Sequence, residues 1–189
     1  MNNALKNTVA IIVMIALAVG LGYAYDKASV WLEKRSHPLE YAELVEKYSE
    51  HYQVPVEMVY GVIKAESGFR SDAVSGAGAV GLMQITEATF DWITSRLGEN
   101  LSKGLLYDPD TNIRYGTYYL NYLFKEFGSW DMALAAYNAG PNRVKGWSQN
   151  PEYIKDGEIV HIPIEETRTY VQRVNKNKEA YKRLYFTAQ

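Results

Sequence analysis

The chain has no cysteine and only three histidines, His37, His51 and His161, which show no ligand spacing. A disulfide framework is therefore excluded, and zinc or another transition metal would lack its usual ligand set, so no metal or cofactor is expected. Charge of one sign is equally scarce. Twenty Lys and Arg stand against 22 Asp and Glu, a formal net charge of -2, which gives no basic footprint for nucleic acid. Strand signal is thin: only Glu158-Ile159-Val160-His161-Ile162 alternates, and Pro163 follows it. The chain also lacks internal repeats and low-complexity tracts. Phenylalanine is rare beside tyrosine, 5 against 16, so most aromatic rings here carry a polar tip.

What is present begins with an uncharged, mostly apolar run from Val9 to Ala24, preceded by Lys6. At about 16 residues it falls between a signal-peptide core and the roughly 20 residues that usually span a bilayer. Gly22-Tyr23-Ala24 is a passable cleavage site, but a helix-compatible stretch continues from Tyr25 to Arg35. An uncleaved anchor is the expectation, with a cleaved signal as the alternative. Lys27, Lys34 and Arg35 downstream against Lys6 upstream leave the orientation open. Residues 1–36 are thus expected to form an anchor and stalk, and residues 37–189 one mainly α domain of about 150 residues, a usual domain size. Its helices are expected at Leu39 to Tyr52, Val56 to Ser67, Glu87 to Leu97, Asp110 to Phe127, Trp130 to Ala139 and Glu165 to Tyr185. Gly98 and Gly128 supply stops, and Ser129 an N-cap. Asn142 to Gly157 reads as the longest loop. Tyr115, Tyr118, Tyr119 and Tyr122 form a stripe at helical spacing, which reads as core.

Glu66 carries the chemistry. Val59, Ile63 and Glu66 fall at i, i+4 and i+7, so the carboxyl shares an apolar helix face near a C-terminus. Lost hydration and the negative end of the helix dipole both favour its protonated form, which suits a general acid. Taken alone, it reads as well as a solvated surface glutamate. The run from Ser75 to Gln84 holds three glycines, which let backbone approach a ligand, although it could equally be a surface turn. Ala136-Tyr137-Asn138-Ala139-Gly140-Pro141 could likewise be a helix end with Gly140 as cap and Pro141 as stop.

In combination and in order, these segments resemble the soluble lytic transglycosylase (SLT) domain family, whose core is related to goose-type lysozyme. The matching motifs are Glu66-Ser67, Ser75, Gly81-Leu82-Met83-Gln84, Ala136-Tyr137-Asn138-Ala139-Gly140 and Glu166-Thr167-Arg168-Thr169-Tyr170-Val171, within about Leu39 to Tyr185. Gly76 departs from the pattern, where proline often follows the serine. The resemblance implies a lysozyme-like helical domain that cleaves the bond between N-acetylmuramic acid and N-acetylglucosamine in peptidoglycan. Glu66 would act as acid and then base, leaving 1,6-anhydromuramoyl ends. Ser67, Ser75, Met83, Gln84, Tyr137, Asn138, Glu166 and Tyr170 would bind substrate. The implied partners are peptidoglycan strands and, through the N-terminal segment, the membrane. The chain is expected to work as a monomer in the cell envelope, with its catalytic domain outside the cytoplasm or secreted after cleavage. A water-using muramidase, with Glu165 or Glu166 as second carboxylate, is the nearest alternative. A silent glycan-binding protein is the other.

Overall fold

A computed structural model of the chain describes residues 2–187, apart from the side chains of Leu5 and Lys6; Met1, Ala188 and Gln189 lie outside the described residues. The chain divides into two units, one ending at Pro38 and the other beginning at Leu39. The division falls two residues beyond the expected boundary because the His37 amide still bonds to the Glu33 and Lys34 carbonyls, closing the preceding helix.

The first unit is one helix, α1 (Asn3–Ser36). Its 34 residues span about 51 Å at 1.5 Å per residue. The helix runs unbroken through Gly20 and Gly22 and continues past Ala24, where the mostly apolar run ends, to Ser36. Among the described residues it is long and apolar enough to cross a membrane, whose hydrocarbon core is about 30 Å thick. Towards its C-terminal half, Lys27 lies 5.4 Å over the Tyr23 ring and Arg35 5.6 Å over Trp31. Such aromatic and cationic residues suit a membrane–water boundary.

The described residues of the second unit are mainly helical, with one small hairpin. It comprises α2 (Ala42–Tyr52), α3 (Val56–Glu66), α4 (Glu87–Leu97), a 3-10 turn (Lys103–Tyr107), α5 (Pro109–Phe127), α6 (Trp130–Ala139), α7 (Pro141–Ser148), β1 (Ile154–Lys155), β2 (Glu158–Ile159) and α8 (Glu165–Tyr181), which ends in a π-helical turn (Lys182–Phe186). Local chemistry sets the ends. Asp108 accepts from the Thr111 amide ahead of Pro109 to start α5, and Thr86 accepts from the Thr89 amide to start α4. Gly98 and Gly128 close α4 and α5 in the left-handed region.

Buried apolar side chains from α3, α5, α6 and α8 form the main core, with α3 lying along α8. Gly61 permits that approach: a Cβ there would stand 3.1 Å from the Val174 carbonyl oxygen and 3.2 Å from the Lys178 nitrogen. Three expectations change. The expected loop from Asn142 begins instead as α7, because Pro141 sits in a first helical turn, where its missing N–H is no loss. The alternation from Glu158 to Ile162 gives only a two-residue strand, since the Val160 and His161 amides both turn onto the Tyr153 carbonyl. Ser129 precedes α6, but its hydroxyl donates to Glu158 instead of capping the helix.

Candidate active site

Three chain segments meet around the end of α3. The first is the α3 terminus itself, where Glu66 is the last helical residue and Ser67 the cap. Ser67 is buried, and its hydroxyl donates to the Leu82 carbonyl at 2.8 Å while accepting from the Phe69 amide at 3.1 Å. It therefore ties the helix end to the glycine-rich segment behind Glu66.

That second segment folds on itself through antiparallel bridges, Val74 to Val80 and Val80 to Ile85. Asn112, buried on α5, anchors it from behind: its side-chain oxygen accepts from the Met83 amide at 2.8 Å, and its nitrogen donates to the carbonyls of Val80 at 2.9 Å and Leu106 at 2.7 Å. Gly81 is required by this packing. It adopts φ 82°, and a Cβ there would lie 2.2 Å from the Asn112 amide nitrogen. Gln84 is also left-handed, at φ 50°, an uncommon conformation for a non-glycine residue. Its amide nitrogen holds the Ala73 and Gly81 carbonyls at 3.0 and 2.9 Å, so its side-chain oxygen is available as an acceptor. Ser75 accepts from the Ala79 amide at 3.0 Å and retains its hydroxyl hydrogen for another partner.

The third segment is the end of α6 with the start of α8. Tyr137 donates to the Met83 carbonyl at 2.7 Å, which locks α6 to the glycine-rich wall. The Asn138 side-chain oxygen accepts from Thr167 at 2.8 Å, leaving its amide hydrogens available.

Glu66, Ser75, Gln84, Tyr137, Asn138 and Glu166 line one groove of about 390 Å³, together with Gly76, Ala77, Ala79 and Thr86. Three residues proposed as substrate contacts lie elsewhere. Ser67 and Met83 are buried behind the wall, held by the bonds just described, and Tyr170 is buried beside Glu66 without lining the groove. Thr86 was not apparent as a site residue, although its place just before α4 marks it as a cap. Arg173, one turn beyond Tyr170, and the anchoring Asn112 were missed as well. Asn112 looks like an ordinary polar residue in a helical pattern, and only the tertiary fold brings it to the Met83 amide.

Burial raises the Glu66 carboxyl from its ordinary 4.5 to about 7, opposed by the Tyr170 hydroxyl and then by the Arg173 charge. Tyr170 Oη has no hydrogen-bond partner of good geometry, yet it faces Glu66 closely enough to favour the anion. Burial first, and the Glu66 charge second, push the Tyr137 and Tyr170 hydroxyls well above 10, so both are neutral donors near neutral pH. The groove thus places the Glu66 carboxyl, raised to about 7, beside the neutral hydrogen-bonding groups of Ser75, Gln84, Tyr137 and Asn138, with Glu166 also on its lining.

A larger cavity, about 770 Å³, lies between α2 and α5 and includes Lys47, Tyr48, His51, Tyr52 and Arg114. Its lysine and its arginine are both paired, Lys47 with Asp110 at 3.3 Å and Arg114 with Glu99. The smaller groove is therefore the candidate active site.

The family model described as Transglycosylase SLT domain matches residues 43–159. The soluble lytic murein transglycosylase of Escherichia coli is 37% identical over 148 residues, which cover 76% of this chain and 23% of that protein. The membrane-bound lytic murein transglycosylase C of Edwardsiella ictaluri is 28% identical over 177 residues, covering 81% of this chain and 49% of that one. Among solved structures, an inactive mutant of lytic transglycosylase Slt from Pseudomonas aeruginosa aligns with a TM-score of 0.73 at 34% identity, over 81% of this chain and 25% of the other. The 70 kDa soluble lytic transglycosylase of Escherichia coli aligns with a TM-score of 0.74 at 32% identity, over 82% and 26% respectively. The fold is therefore the mainly α, lysozyme-like one that the motifs imply. The chain spans about a quarter of the soluble relatives and about half of the membrane-bound one.

Proposed function

The chain belongs to the transglycosylase SLT domain family, and from that premise we propose that it is a peptidoglycan lytic transglycosylase with Glu66 as its catalytic acid and base. The carrying observation is the Glu66 carboxyl, held at about 7 in a groove of polar donors and acceptors. In the first step Glu66 gives its proton to the oxygen between N-acetylmuramic acid and N-acetylglucosamine, and the glycosidic bond breaks through an oxocarbenium-like state. The glutamate is now an anion. It then accepts the proton from the muramoyl C6 hydroxyl, whose oxygen bonds to the anomeric carbon and closes the 1,6-anhydro ring. The acid is restored, and no water is consumed.

In this reading Tyr137 and Gln84 hold the wall and Ser75 and Asn138 contact the sugars. Ser67 and Met83 act by holding the wall from behind, and Tyr170 by stabilising the Glu66 anion between the two steps. The apolar α1 anchors the catalytic unit to the membrane, on the outer side, where the substrate lies.

Glu166 supports a second reading, because it is an exposed carboxylate on the same groove and could activate water. Product analysis separates the two. Purified peptidoglycan digested in ¹⁸O-labelled water should yield unlabelled 1,6-anhydromuramoyl ends. Labelled reducing muramoyl ends as the main product would make this a muramidase.

A further inference from the structure

The tyrosine stripe of α5 does not behave as one group. Tyr115 is fully buried, whereas Tyr119 and Tyr122 are half-buried and line a second cavity of about 350 Å³ with Trp92 of α4. The rings are arranged closely: Trp92 lies 4.6 Å from Tyr122 and 5.7 Å from Tyr119, and the two tyrosines are nearly parallel. Arg96, which does not line the cavity, lies over the rings of both Trp92 and Tyr122, at 5.3 and 4.9 Å, and holds them in place. Thr89, Asn142 and the Lys145–Glu126 ion pair add a polar edge.

This cavity adjoins the groove along three separate chain paths. Thr86 lines the groove, and Thr89, one turn further along α4, lines the cavity. Tyr137 lines the groove, and its ring meets that of Tyr119 at 5.5 Å. Asn138 lines the groove, and Asn142 the cavity. A ligand confined to the groove leaves this aromatic surface uncovered, but a polymer passing Glu66 can run onto it. Ring faces with polar groups at their margin match the apolar faces and hydroxyl edges of a pyranose.

We propose that Trp92 and Tyr122, backed by Tyr119, form a stacking platform for a saccharide of the same glycan strand, next to the pair whose bond is cut. The proposal rests on the functional reading above. The platform acts on affinity and on strand-length preference, and takes no part in proton transfer.

The test uses the full chain in detergent, in a Glu66→Gln background that prevents turnover, with glycan oligosaccharides stripped of their peptide stems. Trp92→Ala is expected to raise Kd for long oligosaccharides by roughly tenfold, the scale of a buried interfacial aromatic cut to alanine, while Trp92→Phe retains most of the affinity. Independently of how well the alanine variant folds, glycan binding should change tryptophan emission, and Trp92→Phe should remove that change. Unaltered affinity in Trp92→Ala, or an emission change that survives Trp92→Phe, overturns the platform. Loss of affinity confined to strands that keep their stems would instead assign the cavity to peptide and also overturn it. If the Glu66→Gln chain binds no glycan at all, the functional reading falls with the proposal. A chain that binds and cleaves normally without using Trp92 refutes the platform alone.

Discussion

Holding a carboxyl in the protonated range should cost the protein stability, and the cost should be visible as a pH dependence that one substitution removes. Glu66 has an ordinary value of 4.5 in the unfolded chain and about 7 in the folded unit, because burial outweighs the help of Tyr170 and Arg173. Between those values the folded state binds more protons than the unfolded state, so stability falls as pH rises from about 4.5 through about 7. At about 1.36 kcal/mol per pH unit, the full loss is on the order of 3 kcal/mol above pH 8. Glu66→Gln retains shape and polarity but has no proton to lose. Urea unfolding of residues 39–189 at pH 5 and pH 9 should therefore show wild type losing about 3 kcal/mol relative to Glu66→Gln. The same variant should lose about 10²–10⁴-fold or more in cleavage while still binding glycan, since its amide cannot donate the transferred proton. Two results would refute the reasoning: a stability difference that stays flat from pH 5 to 9 would mean the carboxyl is not held protonated by burial, and near-normal turnover would remove Glu66 from the reaction.

The sequence made much of this fold legible because its punctuation is local. Gly98 and Gly128 act within one turn, and α4 and α6 have the expected limits. Pro141 shows how local signals become ambiguous: the same residue that ends α6 begins α7, and the choice depends on whether the following turn packs through Val144 and Trp147. Glu66 can be singled out only through the ordered motifs around it, because its spacing from Val59 and Ile63 alone leaves a surface glutamate equally open. By contrast, no periodicity tells that Ser67 and Met83 face the interior of the wall, because their partners, Leu82 and Asn112, depend on how the glycine-rich segment folds back. The tyrosine stripe packs against the core as its spacing implies, but the spacing is silent on its open side. Helical spacing puts Tyr115, Tyr119 and Tyr122 on one side of α5, but only the position of α4 determines that the last two border open space.

The remaining predictions concern the support of Glu66 and the anchor. Tyr137→Phe and Gln84→Ala should each reduce cleavage less than Glu66→Gln, by roughly 1.5–3 kcal/mol of transition-state stabilisation in kcat/KM, and a loss equal to that of Glu66→Gln would overturn this division of roles. Asn112→Leu leaves the Met83 amide and the Val80 and Leu106 carbonyls without their partner, so residues 39–189 should lose about 3 kcal/mol or more in urea unfolding; a loss under about 1 kcal/mol would mean that water or backbone replaces these bonds. The full chain should stay with membranes after alkaline extraction, and recovery of a soluble form beginning at Tyr25 would replace the anchor by a cleaved signal. The finest test is the pH profile. Because Glu66 must be protonated for the first step, kcat/KM should fall above about pH 7, approaching tenfold per unit. Tyr170 and Arg173 both favour the anion, so removing either raises the Glu66 value and moves that alkaline limb to higher pH, Tyr170→Phe further than Arg173→Ala because the hydroxyl is the stronger of the two influences. A structural defect would lower the whole profile without moving its midpoint. A midpoint that moves to lower pH in either variant contradicts the assignment of Glu66 as the titrating acid.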